Sequence, residues 1–535
     1  MTITTTTIQH KLSEIWRAIL KRDVPLDAGF SALGGSSIQL ISMLLHVGND
    51  FQVEIDIGEF LDQPTIAQLT LCIVRQLDVA APVTAPVAEQ AQTFPLLPVH
   101  YWLFERIDVN HFNVGHLFKL EPGTQRAPIR AAIEAVLRQH DGLRILLRKN
   151  EAGAWHQHLQ APAAMSAWWS EVDLASTPDA ELAQAIERVC NEHHAAIRVE
   201  TRAFQAVYFD LGAGRGARLF ILLHHILIDN ISERVLLRDI ESAYRQVKEG
   251  QPVRLNSAGR SVGSWARLLH DYAQGQALEH VDYWMGQSWD GYQALPPDPH
   301  AARLPPADGP MAALDYVHAA LSADDSARLV AIQQNQGIDA SYVVMAAMTT
   351  AVRNWSGSEV LALAMVHNGR RYQSIVDANV LQTVGWMINY ATLFLRNPAR
   401  PGAARLAGIG LVQSVARQAT AVGDDGLSLT CLKYMNQDPA VRSAIARVPP
   451  YQIGFNFIPF ALGEDEPDFV FERAPESSGE GEKWFDPHIK PFINAYFSGG
   501  QLRLTMGFSP CMYGRATIAA LLDDIAGQMH TILHD

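Results

Sequence analysis

The feature that most constrains the fold of this 535-residue chain is a stretch that suits neither a helix nor a strand. Residues 79–93 read VAAPVTAPVAEQAQT, nearly all Ala, Pro, Val, Thr and Gln, and the prolines discourage regular structure. We interpret 78–93 as an Ala/Pro linker with extended character. It separates a small unit, 1–77, from a large unit that begins at residue 94, in keeping with the several folding units that this length favours.

The small unit has the pattern of an all-helical domain. Apolar residues from Ile8 to Leu20 recur at helical spacing, and a second amphipathic segment begins at Ser37. Pro64 and Thr65 open a last helix. The pattern predicts a compact bundle of four helices.

The large unit mixes two kinds of pattern. Apolar runs at 219–225, 360–366 and 451–457 are typical of buried strands, whereas 231–247 and 322–335 have the spacing of amphipathic helices. This mixture predicts an α/β fold, and the length of the unit predicts two lobes.

Composition and charge argue against several classes of protein. An apolar content of 48% with 18% charged residues is typical of a well-packed globular protein. The net charge of −14, without a long basic run, argues against nucleic acid and anionic membranes as partners. The sequence shows no signal sequence, no membrane span and no CxxC spacing, so we expect a cytoplasmic protein with reduced thiols.

A serine follows a glycine pair at the start of the second helical segment. In FSALGGSSIQL, Gly34 and Gly35 supply a turn with freedom in φ, and the helix starts directly after them. The free N–H groups and the dipole of a helix start favour a phosphate on the hydroxyl of Ser37. Ser36 and Ser37 could instead be simple N-cap serines, and these residues alone favour that interpretation.

The wider segment resembles the LGGxS(I/L) motif of acyl and peptidyl carrier proteins, with Leu33, Ser37 and Ile38 in matching places. The resemblance implies a four-helix carrier domain in which Ser37 bears covalent 4′-phosphopantetheine, whose thiol holds the substrate. It also implies a phosphopantetheinyl transferase as a partner. We expect Ser37 to cap its helix as well.

A histidine pair ends the first apolar run of the large unit. In LFILLHHILIDN, His224 and His225 lie at the end of a predicted strand, and Asp229 precedes a predicted helix. Histidine exchanges protons near neutral pH, and a strand end can present a side chain to a cleft. This arrangement suits acid–base chemistry.

Other interpretations of the histidines remain open. One member of the pair could be a core residue and the other a loop residue. No metal site is expected, because no third ligand stands at a familiar spacing. Two further clusters, His193–His194 and His156 with His158, lack a strand-end aspartate and are interpreted as surface features.

The histidine segment resembles the HHxxxDG motif of the condensation-domain superfamily of nonribosomal peptide synthetases. His224, His225 and Asp229 match. Asn230 replaces the glycine, and asparagine tolerates left-handed φ, so the loop can accept it. Five further segments resemble superfamily motifs in the same order: LLPVHYWLFE (96–105), QHDGLR (139–144), SWARLL (264–269), TVGWMINYATLFLR (383–396) and GFNF (454–457).

The resemblance implies two lobes similar to chloramphenicol acetyltransferase, an N-lobe at 94–270 and a C-lobe at 271–535, which meet at a tunnel. His225 would orient or deprotonate the nucleophile. Asp229 would be structural and would pair with an arginine such as Arg370. The remaining residues that would support the loop or line the tunnel are His224, Arg144, Asn230, Trp386 and Asn389.

The superfamily includes epimerisation domains, and segments such as TVGW and NISERVLL, in which Glu233 replaces the usual tryptophan, resemble those more closely. Epimerisation needs a second acid/base group. The family places a glutamate for this role where the present chain has Val366. The HNGR segment and Asn389 resemble condensation motifs, which favours condensation. Epimerisation and a non-catalytic, partner-recruiting role remain the alternatives.

The sequence also suggests which partners the chain needs. It contains no phosphate-binding loop of the adenylating kind and no GxSxG elbow. We therefore expect an adenylating enzyme in trans, or an upstream synthase module, to load the arm on Ser37. The acceptor, an amine or an alcohol, would come on another carrier protein or as a free small molecule.

Overall fold

The computed structural model consists of a helical unit followed by an α/β unit. It describes residues 4–20, 22–30, 33, 35, 37–51, 53, 55, 60, 63–78, 92–106, 109–165, 168–212, 214–256, 258–287, 289–296, 298–299, 301, 314–370, 375, 380–397, 404–458, 471–481 and 488–535. None of the helices within these residues combines the length and the apolar character that crossing a membrane requires.

The helical unit confirms the all-helical prediction for its described part. Helix α1 (Thr5–Leu20) contacts both α2 (Ser37–Phe51) and α3 (Ile66–Asp78). Their apolar stripes meet in a core that includes Leu12 and Trp16, both fully buried. Most of the segment between α2 and α3, where a fourth helix would fall, lies outside the described residues.

The glycine before α2 is needed for space rather than for its backbone conformation. A Cβ on Gly35 would lie 2.2 Å from the ring of Phe30. Phe30 is buried and packs edge-on against Trp16, with ring centroids 4.9 Å apart. Gly35 is not among the residues with positive φ, so the expected φ freedom is not used there, and Gly34 lies outside the described residues.

The predicted linker has structure at both of its ends. Helix α3 extends through Asp78, and Gln92–Phe94 form a short strand, β1, that pairs with Trp155–Leu159. Residues 79–91 lie outside the described part of the chain.

The large unit confirms the predicted α/β fold. Its helices, numbered on from the first unit, are α4 Pro98–Arg106, α5 Arg126–Gln139, α6 Asp179–Ala196, α7 Asn230–Lys248, α8 Val262–Gln274, α9 Val281–Gly286, α10 Ala323–Gln336, α11 Ala340–Ser356, α12 Gly408–Thr420, α13 Leu427–Tyr434, α14 Pro439–Ile445 and α15 Arg515–His534. Its strands after β1 are β2 Asn113–Leu120, β3 Ile145–Lys149, β4 Trp155–Leu159, β5 Trp169–Asp173, β6 Phe204–Asp210, β7 Ala217–His224, β8 Asp315–Ala320, β9 Val360–His367, β10 Asn389–Arg396, β11 Ile453–Ile458, β12 Glu472–Arg473, β13 Phe492–Ser498 and β14 Gln501–Phe508.

The N-lobe is built on a five-stranded sheet with the order β12-β2-β7-β6-β5. Strand β7 lies at its centre and is buried along its whole length. Leu219, Ile221 and Leu223 join one apolar cluster, whereas Phe220 and Leu222 join another, so both faces of this strand are covered. A continuous apolar run in the sequence reflects this burial, and the histidine pair stands at the end of the strand.

The C-lobe is built on a six-stranded mixed sheet with the order β10-β9-β11-β13-β14-β8. Helices α11 and α15 cover one face and form its main apolar core. The predicted strands at 360–366 and 451–457 correspond to β9 and β11. A separate three-stranded sheet, β1-β4-β3, lies in the N-lobe part of the chain.

A segment from the C-lobe range of the sequence joins the N-lobe sheet. Strand β12, from the sequence range predicted for the C-lobe, pairs with β2 of the N-lobe sheet. Three residues later, Glu476 forms a buried ion pair with Arg218 of β7 at 2.7 Å. Helix α8 also runs across residue 270, where the sequence predicted the lobe boundary. Residues 471–481 therefore act as a clasp from one lobe onto the other.

Candidate functional site

Ser37 is the first residue of helix α2, as its motif predicted. The first turn of a helix has backbone N–H groups without intrahelical partners, and these groups attract a phosphate. The residues at this position therefore fit a phosphodiester-linked arm. The side chain of Ser37 and all of Ser36 lie outside the described part of the structure.

His224 is fully buried at the end of β7. Its Nδ1 accepts a hydrogen bond from the Ile226 amide at 3.1 Å, and its Nε2 donates to the Val109 carbonyl. Burial and the neighbouring His225 lower the pKa of His224 to about 4. Both nitrogens of this ring are therefore engaged in hydrogen bonds to the backbone.

His225 follows in a short 3-10 turn and retains partial exposure. Its ring stacks flat on Phe112, with centroids 4.5 Å apart and an interplanar angle of 8°. Trp386 of the C-lobe packs against it at 5.1 Å. Its amide donates to the Phe112 carbonyl at 2.8 Å, so the residue just before β2 fixes both the backbone and the ring of His225.

The electrostatic surroundings keep the His225 ring neutral. Desolvation lowers its pKa from the usual value, and the nearby carbonyls and the charges of Asp229 and Glu233 oppose this only partly. Among the described residues, Nδ1 is buried and has no hydrogen-bond partner. A neutral imidazole can accept a proton, so His225 has the protonation state that a general base needs.

Asp229 caps helix α7 and binds the C-lobe at the same time. Its Oδ1 accepts from the Ile231 amide at 3.1 Å and the Ser232 amide at 2.8 Å. Arg370 Nη2 contacts both of its carboxylate oxygens at 2.8 and 2.9 Å, and the Met387 amide donates to Oδ2 at 3.0 Å. These contacts occupy both oxygens of the carboxylate.

Further hydrogen bonds attach the TVGW segment to the histidine loop. Ser232 Oγ donates to the Gly385 carbonyl at 2.8 Å and accepts from the Gly385 amide at 3.0 Å. The Trp386 amide donates to the Ile226 carbonyl at 3.3 Å. Arg370 also donates to the Thr383 carbonyl at 2.7 Å. Together these bonds set the position of Trp386 against His225.

Two other residues singled out in the sequence have regular backbone or buried positions. Asn230 is the first residue of α7. It is not among the described non-glycine residues with positive φ, so the loop does not use the tolerance of asparagine for that conformation. Arg144 is buried and donates to the carbonyls of Leu137 and Gln160.

Asn389 does not belong to the surroundings of His225. Its Oδ1 accepts from Thr430 Oγ1 at 2.7 Å, which fastens β10 to helix α13. Tyr390, the next residue, faces the other side of β10 and stacks on Trp102 of α4 at 4.4 Å. The motif asparagine and the aromatic residues at the site therefore occupy opposite faces of one strand.

Aromatic side chains from both lobes surround His225. Trp102 packs near Trp386 at 6.4 Å, and Phe112 lies 5.6 Å from Trp386. The sequence motifs include both tryptophans but not Phe112, which approaches His225 through the pairing of β2 with β7. Nothing local to Phe112 in the sequence indicates that contact.

The position where the family has a glutamate, Val366, lies on this same aromatic side of the C-lobe sheet. Val366 of β9 is directly opposite Tyr390 of β10 in the antiparallel register, so their side chains share a face. Tyr390 stacks on Trp102, Trp102 packs near Trp386, and Trp386 packs against His225. The side chain that stands at the position of the glutamate is therefore aliphatic.

A second charged cluster lies on helix α7, one turn beyond Asp229. Glu233 is buried, and its Oε1 is 3.5 Å from His116 Nε2 and 3.2 Å from Arg473 Nη2. Arg473 belongs to β12, so this carboxylate also contacts the clasp. The sequence singled out Glu233 only as a replacement of tryptophan.

His194 corrects one prediction made from the sequence. It is buried rather than superficial, with Nε2 3.0 Å from the Ser478 carbonyl, and burial lowers its pKa to about 4. The reason is the register of helix α6, which turns His194 inward together with Ile186 and Cys190, at intervals of four residues.

Both units of the chain match known protein families. A family model described as the condensation domain matches residues 90–428. A second model, described as the phosphopantetheine attachment site, matches residues 10–73. The two matches follow the order of the helical unit and the α/β unit.

Curated relatives are similar along almost the whole chain. One of the linear gramicidin synthase proteins of Brevibacillus parabrevis is 28% identical over 541 residues, covering 99% of this chain and 7% of the relative. Tyrocidine synthase 1 of the same organism is 25% identical over 537 residues, covering 95% of this chain and 46% of the relative. The chain thus spans less than half the length of these relatives.

Solved structures share the fold of the large unit. The epimerization domain from the third module of tyrocidine synthetase B has a TM-score of 0.71 at 21% identity, over 84% of this chain and 99% of that one. The first condensation domain of the calcium-dependent antibiotic synthetase has a TM-score of 0.56 at 16% identity, over 83% and 97%.

Proposed function

Since the chain belongs to the condensation-domain family and carries a phosphopantetheine attachment domain, we propose that it joins an acyl or aminoacyl group, held as a thioester on Ser37, to an amine or alcohol acceptor. The C–S bond of the thioester breaks as the C–N or C–O bond forms, and the 4′-phosphopantetheine thiol leaves with the proton that the nucleophile gives up. The free N–H groups at the start of α2 would hold the phosphate of the arm. A phosphopantetheinyl transferase and a loading enzyme are the partners that this chemistry requires.

His225 is the residue we assign to proton transfer. Its lowered pKa leaves the ring neutral at pH 7, so it can take a proton from the attacking amine or alcohol. Phe112 and Trp386 fix the plane of the ring. Because Nδ1 is buried, we assign Nε2 as the atom that takes the proton from the amine or alcohol. The observation that carries the proposal is this neutral imidazole, whose ring is fixed between Phe112 and Trp386.

Val366 supports condensation over epimerisation. An epimerase needs one group to remove the α-proton and another to return it on the opposite face. A valine cannot transfer a proton, and Val366 stands on the aromatic face where the family has its glutamate. Condensation needs only the single base that His225 provides.

Epimerisation is the second candidate because a second carboxylate, Glu233, lies one turn beyond Asp229 on the helix that follows the histidine loop. Its negative charge opposes the lowering of the His225 pKa. A proton returned from Glu233 would complete an epimerase. The contacts of Glu233 with His116 and Arg473 oppose this role, since they engage its carboxylate with other groups.

A transfer assay tests condensation. The holo chain, loaded with a series of aminoacyl groups on Ser37, is mixed with amine or alcohol acceptors, and the mass of the arm is followed. We expect loss of the acyl group with formation of an amide or ester, and no transfer by His225→Ala. The surface variant His318→Ala should retain transfer. Equal transfer by His225→Ala would contradict the proposal, and no transfer by any form would favour partner recruitment.

A further inference from the structure

Two histidines on the last helix meet a buried aspartate from a distant part of the C-lobe. His530 and His534 are four residues apart on α15, so they lie on one face. His530 Nδ1 is 3.1 Å from both carboxylate oxygens of Asp325, and His534 Nε2 is 2.9 Å from Oδ1. Asp325 stands in the first turn of α10.

The chemistry of these three groups suits a transition-metal cation. One ligand atom from each residue lies within 4.8 Å of the other two. Zinc in a four-coordinate site takes imidazole nitrogen and carboxylate oxygen at about 2.0–2.2 Å, which places neighbouring ligand atoms a little over 3 Å apart. The nitrogen–oxygen distances of 3.1 and 2.9 Å already approach that spacing, and the two imidazole nitrogens lie within 4.8 Å of each other.

The aspartate of this cluster is buried and fixed, whereas its two histidines are open to solvent. The Asp325 side chain is only 9% exposed, while His530 is 61% and His534 35% exposed. Ser322 Oγ donates to Asp325 Oδ2 at 2.9 Å and holds the carboxylate in place.

We propose that Asp325, His530 and His534 bind one divalent transition cation of the zinc class, with solvent completing its coordination. This site is separate from His225 and from the arm on Ser37. The sequence does not indicate it, because Asp325 lies some two hundred residues before the histidine pair. No acid–base or transfer step depends on it.

The expected role of the cation is to fasten α15 to α10. Helix α15 already packs against α11 and β8, and the site adds a bond at its C-terminal turn. A cation that binds only the folded chain raises the free energy of unfolding by RT ln(1 + c/Kd), where c is the cation concentration, so above Kd the gain grows with the logarithm of that concentration. Imidazoles bind metal only when deprotonated, so the affinity should fall as the pH is lowered.

The test uses the full chain without a histidine tag, freed of metal by a chelator. Cobalt(II) is titrated while its visible absorption is recorded, and zinc-dependent thermal unfolding is measured in parallel. We expect one cobalt per chain with the intense bands of a tetrahedral site, and a rise of Tm with zinc. His530→Gln and His534→Gln should each lose both effects, whereas His318→Gln, on the surface strand β8, should keep them.

Two results would overturn the proposal. Absence of saturable cobalt binding by the unmodified chain would show that the histidines only form hydrogen bonds to Asp325. Unchanged binding in both His530→Gln and His534→Gln would place the cation elsewhere. Circular dichroism of each variant establishes that it is folded, and the titration of the unmodified chain decides the question independently of the variants.

Discussion

Arg370 Nη2 contacts both carboxylate oxygens of Asp229, at 2.8 and 2.9 Å, and joins the histidine loop of the N-lobe to the C-lobe. Both side chains are almost completely buried. Asp229 is also the N-cap of α7, so a single carboxylate holds the helix, the arginine and the segment after Trp386. We therefore expect the geometry of His225 to depend on this contact, and we assign Asp229 no proton transfer.

Replacing Asp229 should therefore destabilise the large unit as well as the site. In Asp229→Ala the guanidinium of Arg370 stays buried without its partner, which costs about 3–5 kcal/mol. The urea midpoint of unfolding measures this loss. The control is Asp179→Ala, which removes an exposed ion pair with Arg215 and should cost less than about 1 kcal/mol. Similar losses in both variants would contradict the structural role of Asp229.

The departure from the family glycine at Asn230 should have little consequence. Asn230 has a helical position at the start of α7, so Asn230→Gly relieves no backbone strain. We expect a small loss of stability, below about 1 kcal/mol, and unchanged transfer. Thermal unfolding and the transfer assay measure the two quantities. A clear gain in stability would show that the backbone there has the left-handed conformation that the motif suggested.

Stability should fall on mild acidification because buried histidines are neutral in the folded chain. Burial lowers the pKa of His100, which lies on α4, to about 3, and those of His194 and His224 to about 4. An unfolded histidine takes a proton near pH 6.5, so between that pH and about 4 the unfolded state binds more protons. Each such histidine lowers the free energy of unfolding by up to about 1.4 kcal/mol per pH unit in that window.

Urea unfolding at a series of pH values from 7 to 5 measures this dependence. The variant His194→Asn should show a shallower slope than the unmodified chain, since one of the three histidines is removed. A free energy of unfolding that stays constant over this range would mean that these rings are protonated in the folded chain. That outcome would also weaken the assignment of a neutral His225.

The close packing at Gly35 gives a prediction for the helical unit. A Cβ there would overlap the buried ring of Phe30, so Gly35→Ala should destabilise the unit by about 1–3 kcal/mol. Gly527→Ala, in helix α15, is the matched control because its Cβ meets nothing within 4 Å, and it should be neutral or slightly stabilising. Thermal unfolding compares the two. Tolerance of alanine at residue 35 would imply that Phe30 packs elsewhere.

The sequence predicted those parts of the molecule that depend on local patterns. The apolar run of β7, the helix after Asp229 and the helix that starts at Ser37 were all indicated by periodicity and turn residues. Arg370 followed from a short motif. Contacts made by pairing distant segments were not indicated: Phe112 reaches His225 through the register of β2 with β7, and Glu476 reaches Arg218 through the clasp.

His194 shows a different kind of failure. Its spacing from Ile186 and Cys190 is that of an inward face of α6, but the pair was interpreted as a surface feature because it lacks a strand-end aspartate. Asn389 shows the converse case. Its motif was recognised, yet only the alternation of β10 reveals that it faces away from Tyr390.

Proton exchange in heavy water tests the central claim most directly. The holo chain is loaded on Ser37 with an aminoacyl group, incubated in heavy water, and the mass of the ejected arm is measured with time. Our account predicts transfer to added acceptors and no gain of mass at the α-carbon, because Val366 provides no second acid/base. A gain of one mass unit that disappears in His225→Ala would contradict it and would identify the chain as an epimerase.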